Sequence, residues 1–242
     1  MSCYDLDKIT SIIKVEGKLV NKTPLRVGSG KEASLEDATD NPIMKVDGRP
    51  VIPGSSIKGA FRSFIEAYER AKGDQKSRVC DIDDDEESCT SCDDTSYCVP
   101  CILFGFKDLG SRVFILDAVA KDFRVGQRTM VSINRVFGGQ APGHLYTLDY
   151  VEPEAAFDFT MVVYNLDLVN NESEEWKKES VEAMRLLLKY LSTDGIFLGA
   201  RRSVGFGLVK LTEANVSLYK APDLFTAKKY SLQDLITAWS KG

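Results

Sequence analysis

The chain has 242 residues, 43% of them hydrophobic, enough for one large domain or a smaller one carrying insertions. No run approaches the ~20 apolar residues that cross a bilayer, and the opening MSCYDLDKIT lacks a signal-peptide core; a soluble, cytoplasmic protein with no membrane partner is expected. The formal charge is −5, yet residues 81–94 hold eight acids and no lysine or arginine, leaving 31 basic against 28 acidic residues elsewhere, so a local nucleic-acid-binding face is not excluded.

Residues 8–20 (KITSIIKVEGKLV) are rich in β-branched side chains and partly alternate, which predicts a strand. The stretch 25–45 is polar, glycine-containing and too long for a hairpin turn. In 51–71 (VIPGSSIKGAFRSFIEAYERA), Pro53 and Gly54 break a strand and Ser55 is placed to cap a helix. Ile57, Phe61, Phe64, Ile65 and Tyr68 then recur at helical spacing. The helix start gathers Ser55, Ser56, Lys58, Gly59 and Arg62, where free backbone N–H groups and the positive end of the dipole suit a phosphate. Ordinary capping accounts for the same residues.

Five of the six cysteines follow: Cys80, Cys89, Cys92, Cys98 and Cys101. Cys89/Cys92 and Cys98/Cys101 have C-x-x-C spacing, in which two thiolates grip one ion from a tight turn. The gap between the pairs is shorter than in common zinc ribbons, so Cys80 can replace one of the four ligands. A structural zinc insertion over 80–101 is expected, against the alternative of reduced surface thiols; disulfides are the weaker reading. Four thiolates would leave no open position for a substrate.

Beyond the insertion, 112–120 (RVFILDAVA) predicts a strand, and 131–166 is β-rich with a turn-forming centre at Gly138–Gly143. An amphipathic helix is expected over about 173–192, with Trp176, Val181, Met184, Leu188 and Leu191 on its apolar face. The segment GARRSVGFG (199–207) combines Gly199, Gly205 and Gly207 with Arg201 and Arg202. It suits close approach to a phosphate backbone, or simply a flexible turn. A strand and a short terminal helix starting near Ser231 complete the chain. The order of elements fits an α+β, ferredoxin-like (RRM-like) βαββαβ core with long insertions, in a single domain spanning 1–242. No G-x-x-x-x-G-K-[ST] occurs, so nucleotide hydrolysis has no support.

The run V-I-P-G-S-S-I-K-G-A-F-R after T-D-N-P-I, then C-x-x-C-I-L-F-G, then G-x-x-R-S-x-G-F-G, resembles the RAMP superfamily. Within it, the likeness is to the repeated Csm-type (Cas seven group) backbone subunits of type III CRISPR complexes, over roughly residues 8–218. The resemblance implies a protomer that polymerises along a CRISPR guide RNA beside neighbouring copies or paralogues and other type III effector subunits. It implies a palm built on the βαββαβ core and a β-hairpin thumb, here in the region of about 124–160, that crosses the guide–target duplex. Ser55, Ser56, Lys58, Gly59 and Arg62 match a guide-phosphate motif. Arg124, Arg128 and Arg135 flank the thumb, and Gly199, Arg201, Arg202 and Gly205 belong to the late loop. A zinc-bound insertion also occurs in the family.

Such subunits cut complementary target RNA with a loop aspartate before the second strand. The matching residue is Asp40, with Asp37 and Asp47 as second choices, assisted by Mg²⁺ or Mn²⁺. A non-catalytic scaffold subunit and a monomeric guide-processing endoribonuclease are the alternatives. The sole histidine, His144, lies near the expected thumb tip with Tyr146 and Phe137, and a two-histidine ribonuclease mechanism is excluded. Ala200, Arg201 and Val204 depart from the more glycine-rich loop of the family.

Overall fold

In a computed structural model of the chain, the residues described are 6–28, 42–73, 79–81, 89, 97–106, 109–136 and 138–240, the side chains of 141–144 excepted. Strand β1 (Ser11–Asn21) follows from alternation. Ile13, Val15 and Leu19 are fully buried, while Lys14, Glu16 and Lys18 point to the opposite face. It lies between β8 (Ala156–Tyr164) and β10 (Leu208–Lys220), antiparallel to both. The same alternation in β8 turns Phe157, Phe159, Met161 and Val163 inward.

Helices α1 (Gly54–Ala71) and α3 (Glu175–Thr193) share one core with those inward rows. From α1 it takes Ile57, Phe61 and Ile65; from α3 it takes Val181, Met184, Leu187, Leu188 and Leu191. Phe61 meets Phe159 edge-on at 6.3 Å. Each such side chain contributes about 1.5–3 kcal/mol on burial. Four of the five apolar positions expected on α3 are buried, and Trp176 packs at the margin.

The strand expected at 112–120 is two strands, β4 (Val113–Ile115) and β5 (Ala118–Asp122), both pairing with β8. Its break at Leu116–Asp117 receives the start of α1. A Cβ at Gly54 would stand 2.2 Å from the Ile115 carbonyl oxygen, so only glycine fits there. Asp117 in turn accepts a 2.8 Å hydrogen bond from the Gly54 N–H. Ser55 therefore does not cap the helix. Pro53 precedes it, no side chain of the preceding residue bonds the first turn, and the exposed Ser55 lies within that turn.

Two short strands, β2 (Lys45–Val46) and β3 (Arg49–Ile52), form a hairpin through Asp47–Gly48, both at positive φ. Strand β9 (Ile196–Phe197) pairs with β10, and β11 (Asp223–Ser231) extends the sheet before the terminal helix α4 (Leu232–Trp239). Among the described residues the sheet order is β11-β10-β1-β8-β5-β3-β2. In chain order, β1, α1, β4/β5, β8, α3 and β10 read β-α-β-β-α-β. Their antiparallel order β10-β1-β8-β5 is compatible with the ferredoxin-like arrangement and with a RAMP fold.

Strands β6 (Val125–Asn134) and β7 (Gly139–Val151) form a separate two-stranded ribbon. Asn134 pairs with Gly139 at its end, so the tip falls earlier than the expected Gly138–Gly143. Pro142 and Gly143 instead lie on β7, where the register jumps from Val131↔Leu145 to Ile133↔Gln140. A proline lacks the N–H a ladder needs, and a bulge accommodates it. Along β6, Val125, Val131 and Ile133 are exposed. No helix among the described residues is long and apolar enough to cross a membrane.

Candidate nucleic-acid interface and metal centre

The base of the ribbon meets the glycine-rich loop. That loop is a tight, hydrogen-bonded structure rather than a slack turn: Arg201 is left-handed at φ +64°, and its carbonyl accepts the N–H groups of Val204 and Phe206. Ala200 donates to the Arg26 carbonyl at 2.8 Å, and Gly207 to that of Pro24 at 2.8 Å. The segment 24–26 is held to the ribbon in turn, because Leu25 and Val151 exchange both backbone bonds. Three chain segments distant in sequence thus meet at one corner.

Their side chains form a seam of arginines and aromatic rings. The Arg128 guanidinium lies 5.4 Å from the Tyr150 ring and 5.0 Å from the Phe206 ring, and those two rings meet edge-on at 5.8 Å. Arg201 stacks over Tyr146 at 5.3 Å and donates to its hydroxyl. Arg26 adjoins this loop, with burial, then the like charge of Arg201, lowering its pKa, while Asp149 opposes this. Asp149 is itself only 8% exposed. Arg202 and Gly205 are exposed on the same loop. The arrangement offers positive charge backed by aromatic rings, a combination suited to a phosphate backbone.

Other expected contacts lie apart. Arg124 is exposed where the ribbon begins, and Arg135 is exposed in its turn. About 23 Å of strand, at ~3.3 Å per residue, separates Arg135 from Arg128. Ser55, Ser56 and Gly59 are exposed at the start of α1. Lys58 donates to Ser111 at 3.0 Å, and burial followed by the charge of Arg62 lowers its pKa. Arg62 turns inward, bonding Glu66 at 2.8 Å, the Gly105 carbonyl at 2.9 Å and the Cys101 sulfur at 3.5 Å. Asp47 is an exposed turn residue of the β2–β3 hairpin. Asp37, Asp40, Cys92, Phe137 and the side chain of His144 lie outside the described residues.

Beside α1 is a four-thiol centre. Helix α2 (Val99–Phe104) brings Cys101 to a buried cluster with Cys98, Cys80 and Cys89, all four sulfurs lying within 4.8 Å of one another. Cys80 is thus one of the four thiols that converge among the described residues. The Cys80–Cys101 and Cys80–Cys98 separations are 3.3 and 3.8 Å, against about 3.8 Å between sulfurs on a tetrahedral zinc with 2.3 Å bonds. They are too long for disulfides. Cys98 donates its backbone N–H to the Cys89 sulfur at 3.3 Å. Bonds from the Cys101 and Cys98 thiols pull Cys89 down to about 4, and the same crowding pushes Cys101 up. Four buried sulfurs converging within 4.8 Å fit a metal such as zinc.

Sequence reasoning missed Arg26, Tyr150 and Phe206. Arg26 lay in a stretch read only as polar, and Tyr150 and Phe206 read as ordinary strand and loop residues.

The chain belongs to the RAMP superfamily, which it matches over residues 18–210. It is 28% identical over 213 residues to a CRISPR system Cms endoribonuclease Csm3 from Methanocaldococcus jannaschii, covering 82% of this chain and 78% of that protein. Shorter stretches match proteins of the same description. One, from Enterococcus italicus, is 42% identical over 60 residues, 24% of this chain and 28% of that protein. The other, from Methanothermobacter thermautotrophicus, is 41% identical over 54 residues, 22% of each chain.

Proposed function

We propose that the chain is a guide-RNA-binding backbone subunit of a type III CRISPR effector complex that cleaves guide-complementary target RNA at regular intervals. The observation that carries this is similarity over four-fifths of the chain to a Csm3 endoribonuclease. The arginine–aromatic seam at the ribbon base agrees with it, since such a seam can hold a guide backbone. In this reading the βαββαβ core is the palm, the β6–β7 ribbon the thumb, and the four thiols hold a structural zinc. Neighbouring copies or paralogues and other effector subunits are the protein partners, in the cytoplasm.

Asp40 is the proposed catalytic residue. In the reaction, a ribose 2′-oxygen attacks the adjacent phosphorus in line as its proton leaves, and the 5′-oxygen departs and is protonated, leaving a 2′,3′-cyclic phosphate. A divalent cation, Mg²⁺ or Mn²⁺, when held by Asp40, supplies charge stabilisation at that phosphate. The ribbon contributes by splaying the duplex into the in-line geometry. The experiment is cleavage of a guide-complementary RNA by the reconstituted complex with Mg²⁺, native against Asp40→Ala. Loss of the regularly spaced products with guide and target binding intact is expected. Unchanged products would remove Asp40 from the mechanism and leave the chain a scaffold beside another nuclease subunit.

A further inference from the structure

Arg128 lies over two aromatic rings, at 5.4 and 5.0 Å from their centroids. Arg128 is an exposed residue, and among the described residues no hydrogen bond or ion pair engages its guanidinium. A lysine or arginine on an exposed strand ordinarily samples many rotamers, and ordering it on binding a phosphate is costly. Here that ordering exists beforehand. Tyr150 comes from the facing strand of the ribbon, one diagonal step from Arg128: the register pairs Arg128 with Leu148 and Gly126 with Tyr150. Phe206 comes from the glycine-rich loop and is 1% exposed. It is positioned to support Arg128 without offering a face to RNA.

Gly126 completes the device. A Cβ there would stand 2.6 Å from the Tyr150 ring, so the missing side chain is what lets that ring lie across the ribbon toward Arg128.

We propose that Tyr150 and Phe206 are positioning residues that preorganise Arg128 as a phosphate-binding fork, so that the glycine-rich loop acts on RNA partly through a buried ring. This deepens the guide-binding reading and rests on it. It separates two residue types that binding data alone would merge: one that meets the phosphate, and two that act through it.

The test is binding of the full chain to a single-stranded RNA of guide sequence across a range of salt concentrations, with melting temperature as a folding control. Arg128→Gln should lower the slope of log affinity against log salt by about 0.7, the share of one phosphate contact on a single strand. Phe206→Leu and Tyr150→Leu should each weaken binding by roughly two- to thirty-fold, the cation–π range expressed as a ratio, while leaving that slope unchanged. In the double variant Arg128→Gln/Phe206→Leu the loss should be no larger than in Arg128→Gln alone, because both act through one guanidinium. Tyr150→Phe keeps the ring and should bind as the native chain does, and Gly126→Ala should behave like Tyr150→Leu. Additive losses in the double variant, or an unchanged slope in Arg128→Gln, would overturn the inference while the guide-binding reading stands. A native chain that binds no RNA would overturn both. Should Phe206→Leu lower the melting temperature strongly, the half-buried Tyr150 series carries the same decision.

Discussion

Two glycines of the late loop separate a packing role from an RNA-approach role. Gly205 and Gly207 both have φ near +90°, a left-handed backbone in which an L side chain is strained by about 1–2 kcal/mol. They differ in surroundings: a Cβ on Gly205 meets nothing within 4 Å among the described residues, whereas one on Gly207 would stand 2.1 Å from the Leu198 carbonyl oxygen. Backbone cannot step aside as a flexible side chain does, so overpacking adds about 1–3 kcal/mol at Gly207 alone. Gly205→Ala should therefore cost about 1–2 kcal/mol and Gly207→Ala about 2–5 kcal/mol. At ~2–4 °C per kcal/mol for a chain of this size, the melting temperature falls by about 2–8 °C and about 4–20 °C respectively. Thermal unfolding of the two variants without RNA checks this, followed by RNA affinity for each. Equal destabilisation would refute the packing assignment. An RNA-affinity loss in Gly205→Ala far beyond its stability loss would restore backbone approach to RNA as that glycine's role.

The metal centre predicts about one zinc per chain by elemental analysis, lost in Cys80→Ser and Cys101→Ser and kept in Cys92→Ser; retention in Cys101→Ser would remove that sulfur from the ligand set. A pH dependence attaches to Asp167, which receives bonds from Lys220, Val169 and Asn170. Burial works to raise its pKa, but the Lys220 and Asn170 bonds outweigh this and hold it below the ordinary aspartate value. A depressed carboxyl stabilises the fold above its unfolded pKa, near 3.9, and loses that contribution as pH falls through the lower folded value. Asp167→Asn should thus lower unfolding free energy by about 1–3 kcal/mol at neutral pH, with the gap closing below about pH 4. A gap that stays flat across denaturant titrations at several pH values would refute it.

The core was legible because periodicity reports burial directly: Ile13, Val15 and Leu19 in β1 and the α3 row from Val181 to Leu191 are placed by spacing alone. Elements whose stability comes from distant partners were not. Strand β11 has no consistently buried face and exists because it pairs with β10. The break between β4 and β5 is set by α1 arriving at Gly54, sixty residues earlier in the chain. At the metal centre, spacing offered five cysteines for four ligand positions without choosing among them. Cys80 joins because the chain returns it to α2, and no local pattern encodes that return.

The basic residues show the same limit from the other side. The family resemblance offers Arg62 and Arg128 alike as contacts to a guide backbone. Their neighbours divide them. Arg62 has all three guanidinium nitrogens directed at Glu66, the Gly105 carbonyl and Cys101, so it ties α1 to the thiol centre and has few donors left for RNA. Arg128 lies over two rings, and among the described residues no partner takes its N–H groups. A guanidinium binds a phosphate oxygen through its edge. Availability for RNA is therefore decided by whether neighbours occupy the edge or the face, a property of the folded corner where β6, β7 and the glycine-rich loop meet.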